Sequence, residues 1–212
     1  GEFARDIEIL KATGVAVVFA AGNYGPAVGS SVEPGNNPGS LSVGAVDFYQ
    51  DLLFQSSRGP SACGGAIFPS LVAPGQDIFA AGLTGGGSNP SAYAYLTGTS
   101  IAAPHVTGAM AVLMAAMPDV TASQLDSAIR AGALDLGVSG LDNDTGAGYL
   151  DAVEAYLLLA TWAAADGDGD GVSDPLDQCP NTPAGAFVDR NGCSASQLDS
   201  DADGVSDALD LC

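Results

Sequence analysis

One serine lies where nucleophilic chemistry is favoured. Ser100 follows the tight turn Thr97–Thr99 and precedes an Ala-rich apolar segment, Ile101–Met117, which predicts a helix buried nearly all round. A helix N-terminus offers free N–H groups and a partial positive charge that stabilise an oxyanion. Small neighbours, Gly98 and Ala102, would let a substrate backbone approach. On local chemistry alone the commoner role of such a serine is a helix N-cap, so both roles stay open at this point.

Alternating Asp and Gly near the end of the chain form a second candidate site. From Asp166 the carboxylates fall at relative positions 1, 3, 5, 9 and 12, with Gly171 at 6, and the pattern recurs 33 residues later. This is the spacing of an EF-hand-like calcium loop, in which position 7 offers a backbone carbonyl. A solvated acidic linker is the plainer alternative, but two copies of one spacing favour Ca²⁺. The predicted ligands are Asp166, Asp168, Asp170, Val172, Asp174, Asp177, Asp199, Asp201, Asp203, Val205, Asp207 and Asp210.

Composition separates two regions and excludes some partners. The 212 residues hold 25 acidic and 5 basic side chains, a net charge of −20. Such a chain repels nucleic acid and anionic membranes, because phosphate binding needs Lys and Arg. An Ala- and Leu-rich segment gives way to Asp and Gly near residue 163, which predicts a domain over residues 1–162 and a small tail over 163–212. Three of the four cysteines lie in that core-poor tail, which indicates disulfides and an oxidising compartment.

The elements that position these residues alternate along the chain. Strand–helix alternation with apolar strands predicts an α/β domain with a parallel sheet. Asn23 follows a buried strand and lies at the carboxyl edge of that sheet, where α/β folds bind ligands, although a turn-forming role remains open. The predicted strands are Val15–Ala21, Leu41–Asp47, Ser70–Ala73 and Ile78–Ala81. The predicted helices are Phe3–Thr13, Ile101–Met117, Thr121–Ala131 (capped by Thr121 or Ser123) and Asp151–Ala164.

Several segments together resemble the subtilase family of serine proteases. The motif GTSIAAPHVTG is similar to the family's active-site serine motif, and GVAVVFAAGN resembles the strand that ends in its oxyanion-hole asparagine. SVGAVD with SSRGP, LVAPGQDIFAA and GAGYLDAVEA resemble later segments in the family's order. The resemblance implies a subtilisin-like α/β domain that is incomplete at its N-terminus, with Ser100 as nucleophile and Asn23 as oxyanion donor. It also implies protein or peptide substrates.

The resemblance also exposes a gap in the catalytic residues. The family's triad Asp and His precede the oxyanion asparagine, yet only 22 residues precede Asn23 and none resembles those segments. The only histidine, His105, matches a structural position of the family and points about 140° away from Ser100 on a helix. We therefore expect an inactive fragment of an active serine endopeptidase. The rival hypothesis is a non-catalytic, calcium-dependent surface or adhesion module on a degenerate protease fold.

The acidic tail resembles thrombospondin type 3 repeats of bacterial surface and secreted proteins. That resemblance implies Ca²⁺ binding, a disulfide between Cys179 and Cys193, and a partner for Cys212 beyond this chain. It places the protein outside the cell, secreted or at the cell surface. The pairing of Cys63 stays open.

Overall fold

The computed structural model describes residues 3–82 and 93–164, and in the tail residues 166–168, 172, 174, 177–183, 186, 188, 191–194, 196–198 and 206. Contacts divide the chain into two compact units, Gly1–Tyr156 and Leu157–Cys212. This division falls inside the last helix, a few residues before the predicted boundary at 162/163. The functional division into a peptidase part and a repeat region stays a prediction.

A three-stranded parallel sheet forms the centre of the first unit. β1 (Val18–Ala20), β2 (Leu41–Val46) and β3 (Leu71–Pro74) lie in the order β1-β2-β3. Val18 pairs with Leu41, and Val43 pairs with Leu71. Every residue of β2 is buried, whereas β1, at the edge of the described sheet, is half-buried throughout. The predicted parallel α/β sheet is confirmed, although β1 is shorter and less buried than predicted because only one neighbouring strand covers its sides.

Four helices accompany the strands in the described part of the chain. They are α1 (Ala4–Ala12), α2 (Thr99–Ala116), α3 (Ala122–Ala131) and α4 (Ala152–Ala164). All four agree with the sequence prediction to within two residues at each end. The N-cap of α3 is Thr121 rather than Ser123, because the Thr121 hydroxyl accepts a hydrogen bond from the Gln124 N–H in a capping box.

Helix α2 packs against all three strands through one face. That face buries Ala102, Val106, Met110 and Leu113, while the side chains of Val112 and Met114 remain exposed. The prediction of a helix buried nearly all round is therefore wrong for this chain, since the sheet covers a single face. By length and composition α2 could also cross a membrane, but its contacts with the sheet are those of a core helix.

A two-stranded antiparallel sheet precedes α2. β4 (Ile78–Ala81) agrees with the prediction, and it pairs with β5 (Tyr93–Leu96), which the sequence pattern did not reveal. The four residues of β5 are too few to establish an alternating pattern by themselves. Their partner strand lies more than ten residues earlier, so the pairing is a non-local property of the fold.

The second unit contains the one disulfide found among the described residues. Cys179 and Cys193 are bonded, as the resemblance implied, and their Cα atoms lie 4.9 Å apart. The Thr182 hydroxyl lies 2.8 Å from the Gly192 carbonyl oxygen and 2.8 Å from Oε1 of Gln197. A disulfide and a small polar network thus hold a segment with little apolar surface.

Candidate active site

Asn23 and Ser100 border one small space at the carboxyl end of the parallel sheet. Asn23 lies three residues after the end of β1, and Ser100 is the second residue of α2. Between them lies Gly98, which has no side chain. A Cβ atom built on Gly98 would lie 3.3 Å from Asn23 Nδ2, 3.5 Å from Asn23 Oδ1 and 3.5 Å from Ser100 Oγ. The fold therefore brings together the two residues that the sequence predicted as nucleophile and oxyanion donor.

The orientation of the Asn23 amide follows from its hydrogen bonds. The Thr99 backbone N–H donates to Asn23 Oδ1 over 3.0 Å, and a backbone N–H can only donate. The atom facing it must therefore be the oxygen of the amide. Because Oδ1 is held in this way, Nδ2 is the atom of the Asn23 amide that can donate a hydrogen bond beside Gly98.

The Thr99 hydroxyl completes this arrangement. It accepts a hydrogen bond from the Gly22 N–H at 3.1 Å and donates to Asn23 Oδ1 at 3.1 Å. The direction of the second bond is fixed because Oδ1 is an amide oxygen and can only accept, so the Thr99 hydroxyl must donate to it. Thr99 is fully buried. Nothing in the sequence pattern marks this residue except its place beside Ser100 in the motif.

The loop that carries Asn23 is held from its other side as well. The Tyr24 N–H donates to Ser57 Oγ, and the Ser57 N–H donates to the Gly22 carbonyl. Gly22 has φ +103°, and a Cβ atom there would lie 2.5 Å from Val32 Cγ2. This turn therefore requires glycine, and its rigidity fixes where the Asn23 side chain projects.

The turn before Ser100 is anchored to the sheet. Gly98 has φ +145°, a conformation that favours glycine, and its N–H donates to the Gly75 carbonyl at 2.8 Å. The Gly75 N–H in turn donates to the carbonyl of Val46 at the end of β2. Ser100 itself is exposed and lies in the first turn of α2, where backbone N–H groups have no partner within the helix. The nucleophile candidate thus combines an exposed hydroxyl with a rigid support.

The single histidine lies apart from this arrangement. His105 Nδ1 lies 3.0 Å from the carbonyl oxygen of Ile101, one turn earlier in the same helix. The side chain is half-buried and bonded within α2. This contact agrees with the prediction that His105 has a structural role.

Pro104 occupies the sixth position of α2. It lies inside the helix, where it removes the intrahelical hydrogen bond to the Ser100 carbonyl.

The predicted calcium ligands are only partly within the described residues. Asp174 Oδ1 accepts from the Gly167 N–H, Asp168 Oδ2 from the Thr182 N–H, and Asp177 Oδ1 from the Cys179 N–H. Asp166 and Val172 are also described. Among the residues that the structure describes, no three acidic, His or Cys side chains converge on one point. The remaining predicted ligands, Asp170, Asp199, Asp201, Asp203, Val205, Asp207 and Asp210, lie outside the described residues.

Comparison with known proteins identifies the family. The model of the subtilase family matches residues 3–148, which include both Asn23 and Ser100. The chain belongs to the subtilase family. An extracellular serine protease of Serratia marcescens is 35% identical over 175 residues, covering 70% of this chain and 16% of that protein. Fervidolysin of Fervidobacterium pennivorans is 34% identical over 147 residues, covering 65% of this chain and 21% of its own length.

Solved subtilases agree with the fold. The self-cleaved protease domain of PatA superposes with a TM-score of 0.61 at 26% identity, covering 76% of this chain and 56% of that domain. A psychrophilic subtilisin-like protease from Pseudoalteromonas sp. AS-11 has a TM-score of 0.63 at 18% identity and is covered over 67% of its length. This subtilase chain therefore spans a minor part of its curated relatives and somewhat more than half of the solved domains. The subtilisin-like α/β fold, covered in part, is confirmed.

Proposed function

We propose that this chain is the C-terminal part of a serine endopeptidase domain that cleaves peptide bonds through an acyl-enzyme at Ser100. The observation that supports it most strongly is the common space bordered by Asn23 Nδ2 and Ser100 Oγ beside Gly98. A nucleophilic oxygen, an amide donor and the N-terminus of α2 then surround one position. A reacting carbonyl at that position would meet all three groups.

In the proposed reaction, Ser100 Oγ attacks the carbonyl carbon of the scissile bond and loses its proton to a histidine base. The carbonyl oxygen becomes an oxyanion, which accepts hydrogen bonds from Asn23 Nδ2 and the Ser100 N–H. Collapse of this intermediate expels the amine, which takes the proton from the histidine, and leaves an ester on Ser100. Water then hydrolyses the ester by the same steps in reverse.

The base and its orienting carboxylate belong, in this proposal, to residues upstream of the present chain. The subtilase family uses an Asp and a His that precede the oxyanion asparagine, and the chain covers only 56% of the PatA protease domain. His105 is bonded to its own helix and does not replace them. The chain by itself should therefore be inactive, while the protein that contains it is active on proteins or peptides.

Covalent labelling tests this proposal. The full-length protein is treated with a fluorophosphonate, and the adduct is mapped by mass spectrometry. We expect labelling at Ser100 in the wild type and none in Ser100→Ala. Ser31→Ala, which changes a serine away from the site, should label like the wild type. An intact, folded protein without an adduct on Ser100 would instead favour the non-catalytic adhesion module.

We further propose that the tail binds Ca²⁺ and that the protein acts outside the cell, secreted or at the cell surface. The donor set suits a hard cation, since it consists of carboxylates with a backbone carbonyl, and the cysteines Cys179 and Cys193 are bonded to each other. The hydrogen bonds to Asp168 and Asp174 do not exclude a cation, because an ionised carboxylate offers about four lone-pair sites. The Serratia relative is likewise described as extracellular.

Calorimetry of the full-length protein tests the tail. Ca²⁺ should bind to chelator-treated protein. The measured heat of Ca²⁺ binding should be smaller in a variant that carries Asp168→Asn and Asp170→Asn together. Asp47→Asn is the matched control, since Asp47 Oδ1 accepts two backbone N–H groups of a turn and serves no predicted calcium site. Equal calcium binding by both variants would contradict this assignment.

A further inference from the structure

The hairpin of β4 and β5 carries its large side chains on the solvent side. Phe79 is 61% exposed and Tyr95 71%, and the register places these two residues opposite each other on one face, with Tyr93 beside them. The other face presents Ile78, Ala80, Ala94 and Leu96, which are half-buried. Aromatic side chains stabilise a fold most when they are buried. The exposed rings of this hairpin are therefore better suited to binding a partner than to stabilising the fold.

The three rings already contact each other. The Phe79 ring centroid lies 5.3 Å from that of Tyr93, with the planes 22° apart, and 5.1 Å from that of Tyr95. Phe79 therefore lies at the middle of one continuous aromatic surface, which we call the aromatic platform (Phe79, Tyr93 and Tyr95). Because its rings are arranged before anything binds, a partner would lose little free energy in ordering them.

The platform is joined rigidly to the nucleophile. The Asp77 N–H donates to Thr97 Oγ1 at 2.9 Å and the Gly98 N–H to the Gly75 carbonyl at 2.8 Å, which close the base of the hairpin. Tyr95 precedes Ser100 by five positions, so their Cα atoms are at most about 18 Å apart. An extended peptide of about five residues, bound with one carbonyl at Ser100, covers the same distance.

The chemistry of the platform defines what it accepts. Both strands, IFAA and YAYL, are free of charged residues, although the whole chain carries a net charge of −20. Acidic peptides and nucleic acid are repelled by that charge. The accessible surface itself offers aromatic rings and methyl groups, which favour aromatic and large aliphatic side chains.

We propose that the aromatic platform determines specificity by contacting an aromatic or large aliphatic side chain of the polypeptide substrate, within about five residues of the cleaved bond. This inference deepens the proposed function of Ser100 and rests on it. Phe79 and Tyr95 contribute the contact, while Ser100 and Asn23 perform the chemistry.

The test compares long and short substrates on the full-length protein. Internally quenched decapeptides, identical except for Phe, Ser or Lys at each position flanking the cleaved bond, are compared with a short acyl amino-acid ester that cannot reach the hairpin. We expect kcat/KM for the best Phe peptide to exceed that for its Ser counterpart about tenfold in the wild type. The Phe79→Ser and Tyr95→Ser double variant should lose this preference and keep its activity on the ester.

A matched control comes from another exposed aromatic pair. Phe48 and Tyr49 are 90% and 80% exposed on the turn after β2, and Phe48→Ser with Tyr49→Ser should leave the preference unchanged. The platform is refuted by a wild type without preference for Phe, by a preference for Lys, or by equal losses on peptide and ester. Fluorophosphonate labelling distinguishes failure of the platform from failure of the proposed function. Absence of a Ser100 adduct refutes the proposed function, and the platform with it.

Discussion

The Asn23 amide can donate beside Gly98 only through its nitrogen, because Thr99 occupies its oxygen. Two donors from one residue, the N–H and the hydroxyl of Thr99, hold Oδ1, and the hydroxyl also satisfies the Gly22 N–H. An oxyanion donor works best when it is oriented before the reaction begins, since no free energy is then spent on reorganisation. In the proposed reaction, Thr99 is thus a positioning residue that acts through Asn23.

Replacing Thr99 by Val tests this positioning. Val has nearly the same shape but lacks the hydroxyl, so the Gly22 N–H loses its acceptor and Asn23 keeps one of its two donors. We expect kcat to fall about ten- to a hundredfold with little change in KM, because binding of the ground state does not use the oxyanion donor. Steady-state kinetics on the full-length protein measure both parameters.

Thr99→Ser supplies the control for that experiment, since it restores the hydroxyl and should recover most of the lost kcat. The loss of the acceptor for the half-buried Gly22 N–H should also cost about 1 kcal/mol of folding free energy in the Val variant. A change in stability together with an unchanged kcat would mean that Thr99 only supports the fold.

At the scale of elements, the turn that leads into α2 decides whether the site can form. Gly98 has φ +145°, and its missing side chain leaves the space between Asn23 and Ser100 open. Gly98→Ala should cost about 1–3 kcal/mol in backbone strain. It should also reduce kcat/KM at least a hundredfold, because its methyl group enters the reaction space.

Gly108, in the same helix, is the matched control. A Cβ atom built on it meets nothing within 4 Å. Gly108→Ala should stabilise α2 by up to about 1 kcal/mol and leave kcat/KM unchanged. Thermal unfolding and kinetics of the two variants measure both effects. Equal loss of activity in both would contradict a specific role for the Gly98 turn.

The capping box of α3 gives a separate prediction at this scale. The Gln124 N–H donates to Thr121 Oγ1 at 3.2 Å, and the Thr121 N–H donates to Gln124 Oε1 at 2.6 Å. Thr121→Ala should cost about 1 kcal/mol, which corresponds to about fivefold faster hydrogen exchange in α3. Ser123→Ala, an exposed change in the same turn, should leave exchange within twofold, and equal effects would argue against Thr121 as the cap.

The three strands of the parallel sheet and the four helices were predictable because each carries a local pattern. Leu41–Val46 is an apolar β-rich run, and Ala122–Ala131 has a cap and an amphipathic pattern. β5 was missed because its pairing with β4 is non-local, and Thr99 because a buried hydroxyl has no sequence pattern of its own. The burial of α2 was overestimated because composition does not show which faces the rest of a fold covers.

At the scale of the whole molecule, the two units obtain their stability from different sources. The first unit buries apolar side chains on both sides of β2, including Leu41, Val43, Val46 and Val106. The described part of the second unit has the Cys179–Cys193 disulfide, hydrogen bonds to carboxylates such as Asp168, and little apolar core. Reducing agents should therefore weaken the tail selectively.

Removal of the Cys179–Cys193 disulfide tests whether the second unit obtains its stability from this bond. The bond closes a segment with a sequence separation of 14, and a loop of this length contributes about 3 kcal/mol by restricting the unfolded chain. Cys179→Ser with Cys193→Ser should speed proteolytic cleavage between residues 177 and 198, while fluorophosphonate labelling of Ser100 keeps its rate. Cys63→Ser is the matched control, because Cys63 forms no disulfide in the described part of the chain. Unchanged cleavage in the double variant would show that another interaction, such as Ca²⁺ bound at the proposed site, holds the tail instead. Repeating the digestion with a chelator separates the two contributions.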